Sequence, residues 1–145
     1  MKKYSRLVTA FAAVAALATV APAVAQTDVH LVARVPFAFS VGNANLPRDT
    51  YRLSRMNGHR EMLFLRGDRT GALVRVDETR LPRTDAEPSL VFHRYADQYF
   101  LREIRWEDTA RLDLPETKAE RKAAEGRGDR ASAQMEQVTV VAAKR

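Results

Sequence analysis

The chain has 145 residues, with 24 basic and 18 acidic side chains, a formal net charge of +6 and no cysteine. The missing cysteines exclude a disulfide framework and thiol catalysis. Three of the basic residues lie in the first 25 positions, so the other 120 residues carry 21 basic against 18 acidic side chains, and a net charge of +3 does not indicate a nucleic-acid partner.

The first 25 residues have the pattern of a secretory signal peptide. The basic start MKKYSR precedes an apolar run from Leu7 to Ala21, and Ala23 and Ala25 form an A-x-A cleavage pattern. The apolar run is shorter than the roughly 20 residues of a membrane-spanning helix. We therefore expect cleavage after Ala25 and export to the periplasm or the extracellular space of a bacterium, as a protein that does not span the membrane.

Apolar residues alternate with other residues from Val29 to Val41, which predicts a long strand. Pro36 lies inside this run and has no N–H to donate, so we expect the strand to lie at a sheet edge or to bend near the proline. Such an edge could accept a strand from another protein. A polar loop follows, the chain returns in a strand from Thr50, and a further strand is predicted from Ala72 to Asp77.

A first hairpin is predicted around the Asn-Gly dipeptide at residues 57–58, which favours a two-residue turn. This turn places Leu53 opposite Met62 and Tyr51 opposite Phe64. Four apolar side chains would then share one face of the hairpin.

The same turn places Arg55 directly opposite Arg60, with Arg52 nearby. Like charges at opposite positions destabilise a hairpin by about a few tenths of a kcal/mol unless water or an anion screens them. Arg52, Arg55 and Arg60 are therefore a candidate anion-binding site for phosphate or an acidic polysaccharide. The alternative is a well-hydrated hairpin tip.

A second hairpin is predicted to turn at residues 96–97, which places Phe92 opposite Leu101 and His93 opposite Phe100. The core predicted from all these strands contains Val35, Phe37, Phe39, Tyr51, Leu53, Phe64, Val74, Phe92, Leu101 and Trp106.

The C-terminal part is predicted to be peripheral, because all nine aromatic residues after the leader lie between Phe37 and Trp106. Thr117 and Glu120 form a T-x-x-E capping box, which predicts a short helix over residues 118–125. We divide the chain into a signal peptide (1–25), a β-domain (26–107), a linker with a short C-terminal helix (108–126) and a flexible tail (127–145).

Together the strands predict a mainly β fold: a single antiparallel β-sandwich or partly open barrel of about six strands, with a short C-terminal α-helix. Three segments, VPFAFSVGNANLPRDTY, LVFHRYADQYFLREIRW and TKAER, resemble a group of small secreted bacterial proteins. The group shares a V-P-F-x-F-x-V-G-x-x-x-L-P-x-G-x-Y segment, an F-x-x-Y-G-x-x-Y-F-L hairpin and an S-K-A-E-R helix start. The resemblance implies a secreted β-rich fold and no particular catalytic activity; Asp49 and Ala96 stand where its patterns have glycine.

The last residues, MEQVTVVAAKR, combine an acidic residue with closely spaced valines. This segment is similar to the short box near the start of mature TonB-dependent outer-membrane receptors, in which an extended chain pairs with the energising protein of the periplasm. The resemblance implies Val138, Thr139, Val140 and Val141 as a candidate partner-binding segment. The alternatives are a strand that docks on the protein's own sheet and a disordered end.

The chain shows no constellation of catalytic or metal-binding residues. His30, His59 and His93 have no second ligand at a metal-like spacing, and no G-x-S-x-G, H-E-x-x-H or glycine-rich phosphate loop occurs. We therefore expect no catalytic, cofactor or metal site. The alternative, a hydrolase-type enzyme without a recognisable motif, requires a polar pocket in which His93 or a carboxylate meets other titratable groups.

The sequence thus predicts a non-enzymatic secreted or periplasmic β-domain with a binding or structural role in the cell envelope. Its expected partner is an envelope protein, bound by strand addition at a sheet edge, or an anionic polymer, bound by the arginine-rich hairpin. The sequence does not indicate the oligomeric state.

Overall fold

The structure is a computed structural model that describes residues 30–82, 86–107, 110–125 and 135–145. The predicted signal peptide lies outside these residues. Within them, the chain forms eleven strands and one helix. The elements are β1 Leu31–Val35, β2 Phe39–Val41, β3 Ala44–Leu46, β4 Asp49–Met56, β5 His59–Arg66, β6 Gly71–Arg75, β7 Asp77–Arg80, β8 Ser89–Tyr95, β9 Gln98–Glu107, β10 Ala110–Asp113, α1 Lys118–Glu125 and β11 Glu136–Lys144.

The eleven strands belong to one sheet that curls into a nearly closed barrel. Its order is β3-β2-β9-β8-β11-β1-β4-β5-β6, and β7, which follows β6 in the chain, pairs with β10, which in turn pairs with β9. The mainly β class, the barrel-like sheet and the single short C-terminal helix are confirmed. The predicted number of about six strands is wrong, because the short pairs β2–β3 and β7–β10 and the C-terminal β11 add to the main hairpins.

Pro36 divides the first predicted strand into β1 and β2. It lies outside both ladders, so its missing N–H costs no ladder hydrogen bond. β1 pairs with β4 on one side and β11 on the other, and β2 pairs with β3 and β9. The prediction that this part of the chain offers a free sheet edge is therefore wrong.

The first hairpin turns at the predicted dipeptide but continues in a different register. Met56 pairs with His59 across the turn, where Gly58 has a φ of +82°. The next residue of β4, Arg55, pairs with Leu63, so three residues of β5 form a bulge. Because three is odd, every later residue of β5 lies on the face opposite to the predicted one.

The bulge exchanges the buried and exposed residues of β5. Leu63 and Leu65 are fully buried, whereas Met62 and Phe64 are the residues of β5 that were predicted to face the core. Phe64 is 39% exposed on the outer face. The two predicted apolar pairs between β4 and β5 are therefore wrong.

Asp49 and Gly67 hold the other end of this hairpin. The Asp49 carboxylate oxygen Oδ2 accepts a hydrogen bond from the backbone N–H of Asp68 at 2.9 Å. A Cβ on Gly67 would lie 2.7 Å from this oxygen and 2.9 Å from Cε1 of Tyr51, so a larger residue would force them apart. These contacts fix the observed register from the end opposite to the turn.

The second hairpin has the predicted register. Phe92 pairs with Leu101 and His93 pairs with Phe100 across the turn at residues 96–97. Ala96 has a φ of 59°, in the left-handed region that favours glycine. The glycine of the resembling pattern would relieve this strain.

The barrel interior is filled by apolar side chains. Phe37 is half-buried and packs against the core, where its ring stacks on Tyr99 with a centroid separation of 3.9 Å. Of the ten predicted core residues, only Phe64 is exposed. The eight that are buried are Val35, Phe39, Tyr51, Leu53, Val74, Phe92, Leu101 and Trp106.

The predicted flexible tail contains a central strand of the sheet. β11 pairs with β8 over six residues and with β1 over three, and the backbones of His30 and Arg145 exchange two hydrogen bonds at its end. Residues 136–144 are therefore not a flexible tail. Of the three predictions for this segment, docking on the protein's own sheet is the one that matches.

Candidate functional site: an arginine-bearing sheet face

The three arginines of the predicted anion site do not come together. Arg55 turns to Glu78, with Nη1 2.7 Å from Oε2, and its guanidinium lies 5.4 Å from the ring centroid of Trp106. Arg60 lies in the exposed bulge of β5 and has no partner on β4. The predicted pairing of Arg55 with Arg60 is therefore wrong, and the cause is the three-residue bulge.

Arg52 instead lies directly opposite Arg66. The two residues pair across β4 and β5, and both side chains are exposed. On the other side of β4, Arg52 pairs with Val32 and Thr50 pairs with Arg34. Since directly paired residues in antiparallel strands project to the same side, these side chains share the outer face of the barrel.

Two shallow depressions on this outer face adjoin at Thr50. The first has a volume of about 410 Å³ and the second about 460 Å³. We call Arg34, Arg48, Arg52 and Arg66 the arginine face. The first depression is lined by Val32, Thr50, Arg52, Arg66, Gly67 and Asp68, and the second by Arg34, Val35, Pro36, Arg48, Asp49 and Thr50.

Asp49 and Asp68 also line the two depressions, but no carboxylate of the described residues forms an ion pair with the arginine face. Within residues 30–82, 86–107, 110–125 and 135–145, its four arginines form no salt bridge. Other arginines do form them, for example Arg94 with Glu136 at 3.0 Å. Asp49 Oδ1 accepts a hydrogen bond from its neighbour's N–H at 2.7 Å, in addition to the bond to Oδ2, so its carboxylate is engaged by the backbone.

Sequence reasoning found Arg52 but missed its partners. Arg34 and Arg66 are 32 positions apart in sequence. Only the observed pairing of β1 with β4 and of β4 with β5 brings them to one face of the sheet. The available signal was the alternation of arginine with buried residues in LVARV and FLR. That pattern gives the outward direction of each side chain but not its neighbours.

A second cluster of charged residues lies beneath α1. Glu120 is 1% exposed, and its carboxylate oxygens lie 3.2 Å from Nδ1 of His93 and 3.4 Å from Nη1 of Arg102. Arg102 is the extra residue of a bulge in β9. Burial raises the pKa of the Glu120 carboxyl, while the charges of Arg102 and His93 act in the opposite direction.

This cluster holds the helix against the sheet. The backbone N–H of Glu120 donates to Oγ1 of the capping residue Thr117 at 3.1 Å, as the capping box predicts. The Glu120 carboxylate, however, binds the sheet instead of returning to the helix start. Two further grooves on the protein surface are lined in part by Ala119 of α1. His93, Arg102 and Glu120 line neither of these grooves and neither depression of the arginine face.

The candidate partner-binding residues all belong to β11. Val138 and Val140 are half-buried and pack against the core, whereas Thr139 and Val141 are exposed. All four pair with residues of β8. In this structure the segment is thus a strand of the protein's own sheet.

Within the described residues, no three histidine, cysteine, aspartate or glutamate side chains are grouped so as to hold a metal ion. The one helix found there, eight residues long, is too short to cross a membrane. Comparison with models of known families, with curated proteins and with solved structures finds no match to this chain.

Proposed function

We propose that the protein is a non-enzymatic binding domain, exported to the periplasm or the surface of a bacterium, and that its arginine face binds an anionic polymer of the cell envelope. The leader pattern and the resemblance to small secreted proteins support the location. The contact of Glu120 with His93 attaches α1 to the sheet, and this structural role is the reason that we do not assign it to catalysis.

The pairing of Arg52 with Arg66 is the observation that carries this proposal. Two guanidinium groups at directly opposite positions, with Cβ atoms about 5 Å apart, repel each other. No carboxylate of the described residues compensates them by a salt bridge. An anion between the two would turn the repulsion into two charge-assisted hydrogen bonds.

The spacing of the arginine face suits an extended polymer. Arg34, Arg52 and Arg66 lie on three adjacent strands, which are about 4.8 Å apart. The Cβ atoms of these arginines therefore follow one another at intervals of about 5 to 8 Å across the sheet. A chain that carries one carboxylate or phosphate per repeat can meet several of them at once, whereas a single small anion meets only one or two.

A binding measurement with matched variants tests the proposal. Isothermal titration of the purified protein with polygalacturonate or polyphosphate should give salt-sensitive binding. The double variant Arg52→Ser, Arg66→Ser should bind about tenfold more weakly, since two surface ion pairs contribute about 1.4 kcal/mol together. The double variant Arg60→Ser, Arg121→Ser, which removes two exposed charges outside the arginine face, is the control and should leave the affinity within about twofold.

Two results would contradict the proposal. The first is absence of binding of the wild-type protein to either polymer at low salt. The second is an equal loss of affinity in the two double variants, Arg52→Ser, Arg66→Ser and Arg60→Ser, Arg121→Ser, which would mean that only net charge matters.

Strand addition is the second candidate function, and the free edges of β3 and β6 support it. Within the described residues, β3 pairs only with β2 and β6 only with β5. A groove of about 980 Å³ lies beside them, with Ala44, Ala72 and Leu73 in its lining. An added strand should protect the backbone amides of residues 44–46 or 71–75 from hydrogen exchange, and protection elsewhere would exclude this mode.

A further inference from the structure

Phe64 and Leu73 are two large apolar side chains on the outer face of the barrel. They pair directly across β5 and β6 and are 39% and 50% exposed. The bulge of β5 places Phe64 outside while two leucines fill the core. Phe64 and Leu73 therefore form a small apolar patch on the outer face, beside strand positions whose inward side chains already fill the core.

The ring of Phe64 lies beside the arginine face. Gly71, which pairs with Arg66, has no side chain, and the edge of the Phe64 ring reaches over it. A Cβ built on Gly71 would lie 3.5 Å from Cζ of Phe64 and 3.6 Å from Cε2. The ring therefore leans along the sheet toward the position of Arg66, and one part of it stays open to solvent.

We propose that the polymer bound at the arginine face is an acidic polysaccharide, and that the exposed ring of Phe64 packs against one of its sugar rings. This inference rests on the proposed function. Sugar rings present C–H groups on one face, which pack on aromatic rings, while their carboxylates accept hydrogen bonds from arginine. Phe64 next to Arg66 offers both contacts within one repeat of such a chain.

The composition of the face favours a polysaccharide over a lipid surface. Membrane association of this kind grows with the apolar area that enters the interface. Phe64 and Leu73 are the large exposed apolar side chains of β5 and β6, and both lie in a sheet rather than on a protruding loop. Two such side chains bury little area in a bilayer, but they match the size of one or two sugar rings.

Phe64→Ala tests this inference when two polyanions are compared. Polygalacturonate carries sugars and carboxylates, whereas polyphosphate carries charge without sugar rings. The variant should bind polygalacturonate about five- to tenfold more weakly and polyphosphate as wild type does, because only the ring contact is lost. Phe64→Tyr keeps the ring and should restore the affinity for polygalacturonate.

The possible failures of the two proposals are distinguishable. If wild-type protein binds neither polymer, the proposed function is wrong. If it binds both, and Phe64→Ala changes neither affinity or both equally, only the polysaccharide inference is wrong. Binding to vesicles that contain anionic lipid, lost in Phe64→Ala and unaccompanied by binding to polygalacturonate, would assign the face to a membrane and overturn the inference. An unchanged melting temperature of Phe64→Ala shows that the variant is folded.

Discussion

Glu120 of α1 places a carboxylate oxygen 3.2 Å from Nδ1 of His93 on β8, and this contact lies beneath the helix. Glu120 is the only buried residue of α1. The helix is therefore attached to the barrel by a buried charge rather than by an apolar stripe. Eight residues are too few for a stable isolated helix, so this contact and the Thr117 cap must position it.

Titration of the Glu120 carboxyl should contribute to the pH dependence of the protein's stability. Burial raises the pKa of Glu120 above its ordinary value of 4.5, and the negative charge of Glu116 raises it slightly further. The charges of Arg102 and His93 lower the pKa but do not cancel the effect of burial. A raised carboxyl pKa favours folding below about pH 4.5, and that contribution is lost as the pH rises through the folded-state value. The stability of Glu120→Gln relative to wild type should therefore increase from about pH 4.5 toward neutral pH.

Urea unfolding at a series of pH values measures this effect. Glu125→Gln removes an exposed carboxyl from the last turn of the same helix and serves as the control. Tyr95 also faces the cluster, but it titrates far above this range. A constant difference between Glu120→Gln and wild type across the range would contradict the account.

The faces of β5 can be tested with two neighbouring residues. Leu63 is fully buried and Phe64 is 39% exposed. Leu63→Ala should lower the free energy of unfolding by about 2 to 5 kcal/mol, whereas Phe64→Ala should lower it by less than about 1 kcal/mol. Denaturant titration of both variants gives the comparison. A larger loss of stability in Phe64→Ala than in Leu63→Ala would support the predicted register, which has no bulge.

The docking of β11 can be tested in the same way. Ala142 is 6% exposed and belongs to the core, whereas its neighbour Ala143 is exposed and pairs with Val32. Ala142→Asp would bury a charge and should lower the free energy of unfolding by at least about 2 kcal/mol. Ala143→Asp should change it by no more than about 0.5 kcal/mol. Equal small effects in thermal melts would mean that β11 does not occupy the place between β1 and β8.

The two hairpins explain how much of the fold could be predicted from the sequence. Around residues 96–97, turn and alternation agree, and the predicted register is correct. Around residues 57–58 the turn is also correct, but the three-residue bulge is set by contacts remote in sequence. Arg55 reaches Glu78 on β7, and Asp49 binds the loop after β5. Local periodicity contains none of this information.

In the candidate sites, too, features set by a local motif could be predicted, whereas features set by contacts remote in sequence could not. The helix at Lys118–Glu125 and its Thr117 cap follow from a local motif. The partners of Glu120 do not, because His93 and Arg102 lie on strands 27 and 18 positions away in sequence, and the position of Arg102 depends on a bulge. The arginine face likewise depends on the order of β1, β4 and β5, which a single sequence does not specify.

Mapping the polymer contact on the isotope-labelled protein tests the central claim most directly. In a nuclear magnetic resonance titration with polygalacturonate, the account predicts that the largest shifts in amide and side-chain signals occur at Arg34, Arg52, Phe64 and Arg66, on the outer face of adjacent strands. Shifts confined to β3 and β6, or no shifts at a polymer concentration that saturates binding by calorimetry, would contradict the claim that the arginine face is the binding site.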